Sequence, residues 1–148
     1  MSTTALAALK LTNARKLRAL PDVIKRRNKL LNKLGEQRAL AVAQAEGTHY
    51  SPTRLRTFKH ADSGERIVKQ VTVRIKPWFW SNERGEVLLA VNYGSKQIEL
   101  GKGKTAVEVG DAKNLIGVID VLIAAVKAGE PDAQIEAASG RLREGFKR

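Results

Sequence analysis

The sequence predicts an α+β fold: a basic N-terminal helical region, then a four- to five-stranded antiparallel meander covered on one face by an apolar helix, and a short C-terminal helix. Three observations predict it. Apolar residues recur every third or fourth position over residues 21–46 and again over 111–129, the spacing of one helix face. Between these stretches they alternate with polar residues, as in a half-buried strand. Glycine and asparagine gather where one alternating run gives way to the next, as hairpin turns require.

Residues 2–20 read as a weak helix, with Leu6, Leu9, Leu17 and Leu20 along one side and Lys10, Arg15, Lys16 and Arg18 around them. A stronger helix is expected over residues 21–46. Pro21 suits the first turn, Asp22 complements the positive helix end, and Gly47 suits the stop. Ile24, Leu31, Leu34, Ala41 and Ala45 make a narrow stripe, interrupted by Arg38. So narrow a stripe buries little alone and must pack on the rest of the chain or on a second copy.

In residues 48–110, Val71, Val73 and Ile75 share one parity, with Thr72, Arg74 and Lys76 between them. Val87, Leu89 and Val91 repeat the pattern, followed by Ile98 with Leu100 and by Val107 with Val109. Turns are expected at residues 81–86 (with Asn82 and Gly85), at Tyr93-Gly94-Ser95 and at residues 101–104, and a fifth strand near residues 53–58. Asp111 then caps a helix ending at Gly129, with Leu115, Ile116, Val118, Ile119, Leu122, Ile123 and Val126 on a stripe wide enough to cover a sheet face. Burial at about 1.5–3 kcal/mol per large side chain makes it the expected main source of stability. Pro131 opens the last helix, carrying Ile135, Ala138, Leu142 and Phe146, and residues 141–148 form a basic tail expected to fray. The expected units are a basic helical arm (1–47), the sheet with its covering helix (48–130), and the C-terminal helix and tail (131–148).

Charge is distributed unevenly. Net charge is +12, yet residues 1–60 hold 13 Lys/Arg against 3 Asp/Glu while residues 61–148 hold 14 against 12. Such asymmetry points to a surface that meets a polyanion. There is no cysteine, so disulfides, thiolate metal sites and cysteine nucleophiles are excluded. No apolar run reaches the roughly 18 residues of a membrane span, and residues 1–10 do not read as a signal peptide, so a cytoplasmic protein without membrane contact is expected.

Two clusters carry the binding chemistry. Lys25, Arg26, Arg27, Lys29 and Lys33 crowd the main N-terminal helix with almost no acid among them. If they engage about five phosphates of a duplex, affinity falls with a log–log salt slope near −4.5. In the run Arg74-Ile75-Lys76-Pro77-Trp78-Phe79-Trp80, an unbulged strand puts Arg74, Lys76, Trp78 and Trp80 on one face, interleaving two cations with two indoles for single-stranded nucleic acid. Pro77 leaves the alternative open, because a bulge there reverses the parity of both indoles and makes them core anchors. Arg54 and Arg56 extend the cationic face if residues 53–58 form a strand, and Glu99 and Glu108 repel nucleic acid at the far end.

Catalytic readings fail on spacing. Residues 101–105 (Gly-Lys-Gly-Lys-Thr) suggest a phosphate loop, but its first glycine would fall at Ile98 and the run leads into a strand rather than a helix. Neither His49 nor His60 has a carboxylate at metal-ligand spacing. No catalytic residue, metal or cofactor is therefore expected, and the protein is read as non-enzymatic.

Two likenesses bear on context. Pro77-Trp78-Phe79-Trp80, Tyr93-Gly94-Ser95-Lys96, Ile98-Glu99-Leu100 and the run from Asp132 to Gly140 resemble an uncharacterised family of small basic proteins of proteobacterial phages and other mobile elements. That resemblance covers most of the chain and implies a mobile-element setting, including interference with host defences. Four meandering strands before one apolar helix, over about residues 66–128, also resemble the Pur-alpha and whirly single-strand-binding folds, which implies pairing into dimers. The expected function is binding of nucleic acid, more readily single-stranded DNA or RNA. The alternative is an inhibitor or adaptor that docks an acidic surface of a partner protein, with a homodimer compatible with either.

Overall fold

The computed structural model describes residues 5–16 and 18–146, the last of these by its backbone. Residues 2–4 and Leu17 of the weak first helix, the Phe146 side chain and residues 147–148 of the tail lie outside the described residues. The protein is α+β, with antiparallel strands throughout.

Ahead of the first long helix, the described residues form one 3-10 turn, Ala5–Ala8, in place of the weak helix. Leu6, Leu9, Leu11 and Leu20 stay exposed. A helix this short needs packing to persist, and these leucines find none. Helix α1, Asp22–Glu46, follows the expected bounds, entering after Pro21 and stopping at Gly47 with φ 70°. Its buried line is Leu30, Leu34, Gln37 and Ala41, one position out of step with the predicted Leu31, which is half-buried, and without Ala45, which is exposed.

Strands β1 (Thr53–Lys59) and β2 (Arg66–Thr72) pair over seven residues as a separate ribbon. Strands β3 (Phe79–Ser81), β4 (Val87–Ala90) and β7 (Ala106–Gly110) form a three-stranded sheet in the order β3-β4-β7, and β5 (Asn92–Tyr93) pairs with β6 (Lys96–Gln97) as a small hairpin. The predicted meander is divided into three pieces and its order is not kept: β4 pairs directly with β7, the chain between them forms the β5–β6 hairpin, and Ile98 and Leu100 belong to no strand. The division falls inside the run predicted as one strand over residues 71–80: β2 stops at Thr72, β3 starts at Phe79, and residues 73–78 form a connector.

β2 stops where its partner does: Thr72 faces Thr53, and beyond it Val73 N–H donates to the Pro52 carbonyl while Pro52 has no N–H to return. A second cause keeps the chain out of a ladder as far as Trp78. Pro77 has no N–H to give a ladder, and the groups on either side of it are taken by a side chain. Gln37 of α1 donates Nε2–H to the Lys76 carbonyl at 3.0 Å and accepts the Trp78 N–H on Oε1 at 2.8 Å. One amide thus replaces a neighbouring strand across the proline.

Asp111 caps a 3-10 turn, Ala112–Asn114, by accepting from Lys113 N–H, and this turn feeds helix α2, Leu115–Ala128, which ends at Gly129 with φ 81°. Helix α3, Asp132–Phe146, is longer than expected. Two apolar clusters form the core. One joins Leu30 and Leu34 of α1 to Val91, Tyr93, Ile98, Val126, Ile135 and Ala138. The other joins Ala41 to the inner sheet residues Phe79, Val87, Leu89 and Val109 and to Leu115 and Ile119 of α2. Trp78, Leu122 and Ile123 pack against both. Helix α2 thus covers the sheet as predicted, and α1 packs along α2, the first of the two partners expected for its narrow stripe. Ion pairs tie the helices together, Arg38 to Asp120 (Nε–Oδ1 2.6 Å) and Arg27 to Asp132 (Nε–Oδ1 2.8 Å). Among the described residues, no helix is long and apolar enough to cross a membrane.

Candidate nucleic-acid interface

The five cations of α1 divide by what lies beside them. Arg27 forks onto Asp132 through Nε and Nη2. That bond is the main cause holding the Asp132 carboxyl below its ordinary range and the Arg27 guanidinium above its own. Arg26 lies on the same side, half-buried, with Nε enclosed and lacking a hydrogen-bond partner among the described residues. Lys25 is exposed. Of these three, Arg27 is the one bonded to α3, and its charge and that of Arg26 both act on Asp132.

Lys29 and Lys33 line the space beside the connector. Lys29 Nζ stands 4.6 Å from the centroid of the Tyr93 ring, a cation–π contact that holds the ammonium near the surface. Lys33 lies 3.8 Å from Glu36. Together with the base of β1 and the 73–78 connector they enclose an open cleft of about 250 Å³ that carries Lys29, Lys33, Arg54, Arg74, Lys76 and Trp78. Six of the eleven predicted residues are therefore brought together from three separate stretches of chain. Glu36, also on the wall, pairs with Arg54 as well as Lys33. Five cations against one carboxylate leave the cleft strongly positive, and Gln37 fixes the connector segment bearing Lys76 and Trp78.

The predicted cationic face with paired indoles does not form. Arg74 and Lys76 belong to the connector, not to a strand. Trp78 is half-buried, packs against both core clusters and is among the residues lining the cleft. Trp80 is 46% exposed on β3, opposite Leu88, which in turn pairs with Glu108, and it borders a different cavity lined by Ala41, Gln44, Ala45 and Leu115. The break at Pro77 separates the indoles, so neither a shared surface nor a shared core position holds for both. Arg56 stands beyond the cleft, exposed on the ribbon.

Sequence reasoning missed Glu36 and Gln37. The signal was available for Gln37, which sits between Leu34 and Ala41 on the apolar line of α1. A polar residue at such a position has a partner to hold. The segment 101–104 is a turn, closed by a bridge between Gly101 and Lys104, and the Glu99 carboxylate accepts the Gly103 N–H. An acid thus already occupies the amide that a phosphate would need. Among the described residues, no three His, Asp or Glu side chains converge as metal ligands.

A family model described as a family of unknown function, DUF6641, matches residues 3–135. No curated protein and no solved structure matches the chain.

Proposed function

The chain belongs to DUF6641, a family of unknown function, and we propose that it is a non-enzymatic nucleic-acid-binding protein whose primary contact is the basic cleft between α1, the base of β1 and the 73–78 connector. The observation that carries this reading is the convergence of Lys29, Lys33, Arg54, Arg74 and Lys76 around one concavity containing a single carboxylate. Folding like charges together costs free energy unless a polyanion answers them. A phosphate backbone laid in the cleft would meet all five, and Trp78 is the one aromatic residue of the lining that would stack on a base. With Trp80 elsewhere, stacking contributes one position at most, and electrostatics dominates.

The likeness of the sequence motifs to small basic phage and mobile-element proteins supports a cytoplasmic setting in which nucleic acid is the abundant polyanion. A second reading, docking on an acidic protein surface, is favoured by the apolar exposure of Leu55, Phe58 and Val68 next to cations.

A titration separates the two. In Trp80→Phe, emission reports Trp78 alone. Adding oligonucleotide at about 50–100 mM salt should quench it, and Arg74→Glu with Lys76→Glu should abolish the quench. The log–log salt slope should lie near −3 if about four phosphates of a single strand are engaged. Indifference to both DNA and RNA at that salt, together with capture of an acidic protein, overturns the proposal in favour of the second reading.

A further inference from the structure

The β1–β2 ribbon lends Arg54 to the cleft, and the rest of it has no part there. Its ladder is complete from Thr53↔Thr72 to Lys59↔Arg66. Among the described residues, neither strand pairs with a third, and no position of either strand is buried. An isolated two-stranded ribbon is marginal in water, and this one also leaves Leu55 (69%), Val68 (61%) and Phe58 (44%) exposed.

Its charges are stranger still. Facing residues share a face of the ribbon, so Arg56 stands directly opposite Lys69 and Lys59 directly opposite Arg66. The first pair shares a face with Arg54 and Phe58, and the second shares the other face with Leu55 and Val68. Like charges placed opposite each other destabilise an antiparallel pair. The ribbon carries two such pairs, one on each face, and neither strand contains an acid; Asp62 and Glu65 lie in the turn. An unburied ribbon with cations on both faces is poorly matched to a flat partner, which would answer one pair and leave the other.

We infer that the β1–β2 ribbon inserts into a groove of duplex DNA. A groove runs phosphates along both walls, and the B-form major groove, about 12 Å wide, admits a two-stranded β-ribbon. The opposed cations then meet opposite backbones, while Leu55, Phe58 and Val68 meet sugars and base methyl groups. This rests on the nucleic-acid reading above, and adds to it a second contact surface and the duplex form of the ligand.

The test uses anisotropy of a labelled DNA duplex and of its separated strand at about 100 mM salt. Four full-length proteins are compared: wild type, Arg56→Ala with Lys69→Ala, Lys59→Ala with Arg66→Ala, and a cleft variant, Arg74→Ala with Lys76→Ala. All substituted side chains are exposed, and circular dichroism confirms an unchanged fold. Each ribbon variant should weaken duplex binding about tenfold or more and flatten its log–log salt slope by about 2, with little change for the single strand. The cleft variant should weaken both. Ribbon variants that bind duplex like wild type, while the cleft variant does not, refute the ribbon and leave the cleft standing. Equal losses on duplex and single strand refute groove insertion. A wild-type protein that ignores both ligands refutes the ribbon and the nucleic-acid reading together.

Discussion

Replacing Gln37 should destabilise the protein out of proportion to the size of the side chain. Gln37 is 2% exposed, and its amide makes both of its bonds to backbone groups flanking a proline, where no ladder can form. Gln37→Met keeps the volume and removes the amide. Two hydrogen bonds are lost at about 1 kcal/mol each, and the half-buried Trp78 N–H, left without an acceptor, adds up to about 2 more. The expected loss is about 2–4 kcal/mol, against a total stability of about 5–15. With a urea dependence near 2 kcal/mol per molar, the midpoint should fall by about 1–2 M. Gln37→Glu adds a check on sign. The carboxylate still accepts from Trp78 but opposes the Lys76 carbonyl, so burial and that carbonyl both favour its protonated form. Its folded pKa is thus raised, and the deficit relative to wild type should be smallest below the ordinary carboxylate range near 4 and grow as pH rises through the folded value. A Gln37→Met stability within about 0.5 kcal/mol of wild type would refute the claim that this amide holds the connector.

Gly129→Ala should cost about 1–3 kcal/mol in a thermal melt, because φ is 81° and the added methyl would stand 2.6 Å from Arg27 Nη2, displacing the Arg27–Asp132 pair. Since Arg27 holds the Asp132 carboxyl low, that pair stabilises the fold above the ordinary carboxylate range near 4 and ceases to as pH falls through the lowered value. Urea midpoints of wild type and Asp132→Asn should therefore differ at neutral pH and converge in strong acid, and a pH-independent gap would contradict the assignment. Leu55→Ser with Val68→Ser should leave the stability within about 0.5 kcal/mol of wild type, since neither side chain is buried; a larger loss would mean the ribbon is part of the core.

The helices were legible wherever their ends carry local chemistry. Pro21, Asp22 and Gly47 mark α1, and Asp111 and Gly129 mark the capped turn and α2, because caps act on neighbours in the chain. The strand register failed at residues 71–80 for the opposite reason. Val71, Val73, Ile75 and Phe79 alternate through Pro77 as though nothing happened there, and all four do lie buried or half-buried. The strand ends where its partner runs out at Pro52, and the missing Pro77 N–H and a glutamine some forty residues earlier in the chain hold residues 76–78 out of a ladder; no local period encodes either pairing. The same break separated Trp78 from Trp80. The cations fared better: their clustering in sequence was visible, but which of them face a common cleft depends on the docking of α1. Docking gave Arg27 to Asp132 and brought Lys29 and Lys33 to the connector.

Trp78 wedges between the two apolar clusters and belongs wholly to neither. Neither half of the interior can therefore melt without stripping contacts from the indole that serves the other, so both should come apart in a single cooperative step. The ring is also the molecule's built-in optical probe: in a protein whose second tryptophan has been replaced, its colour shift on heating should coincide with the loss of helical signal.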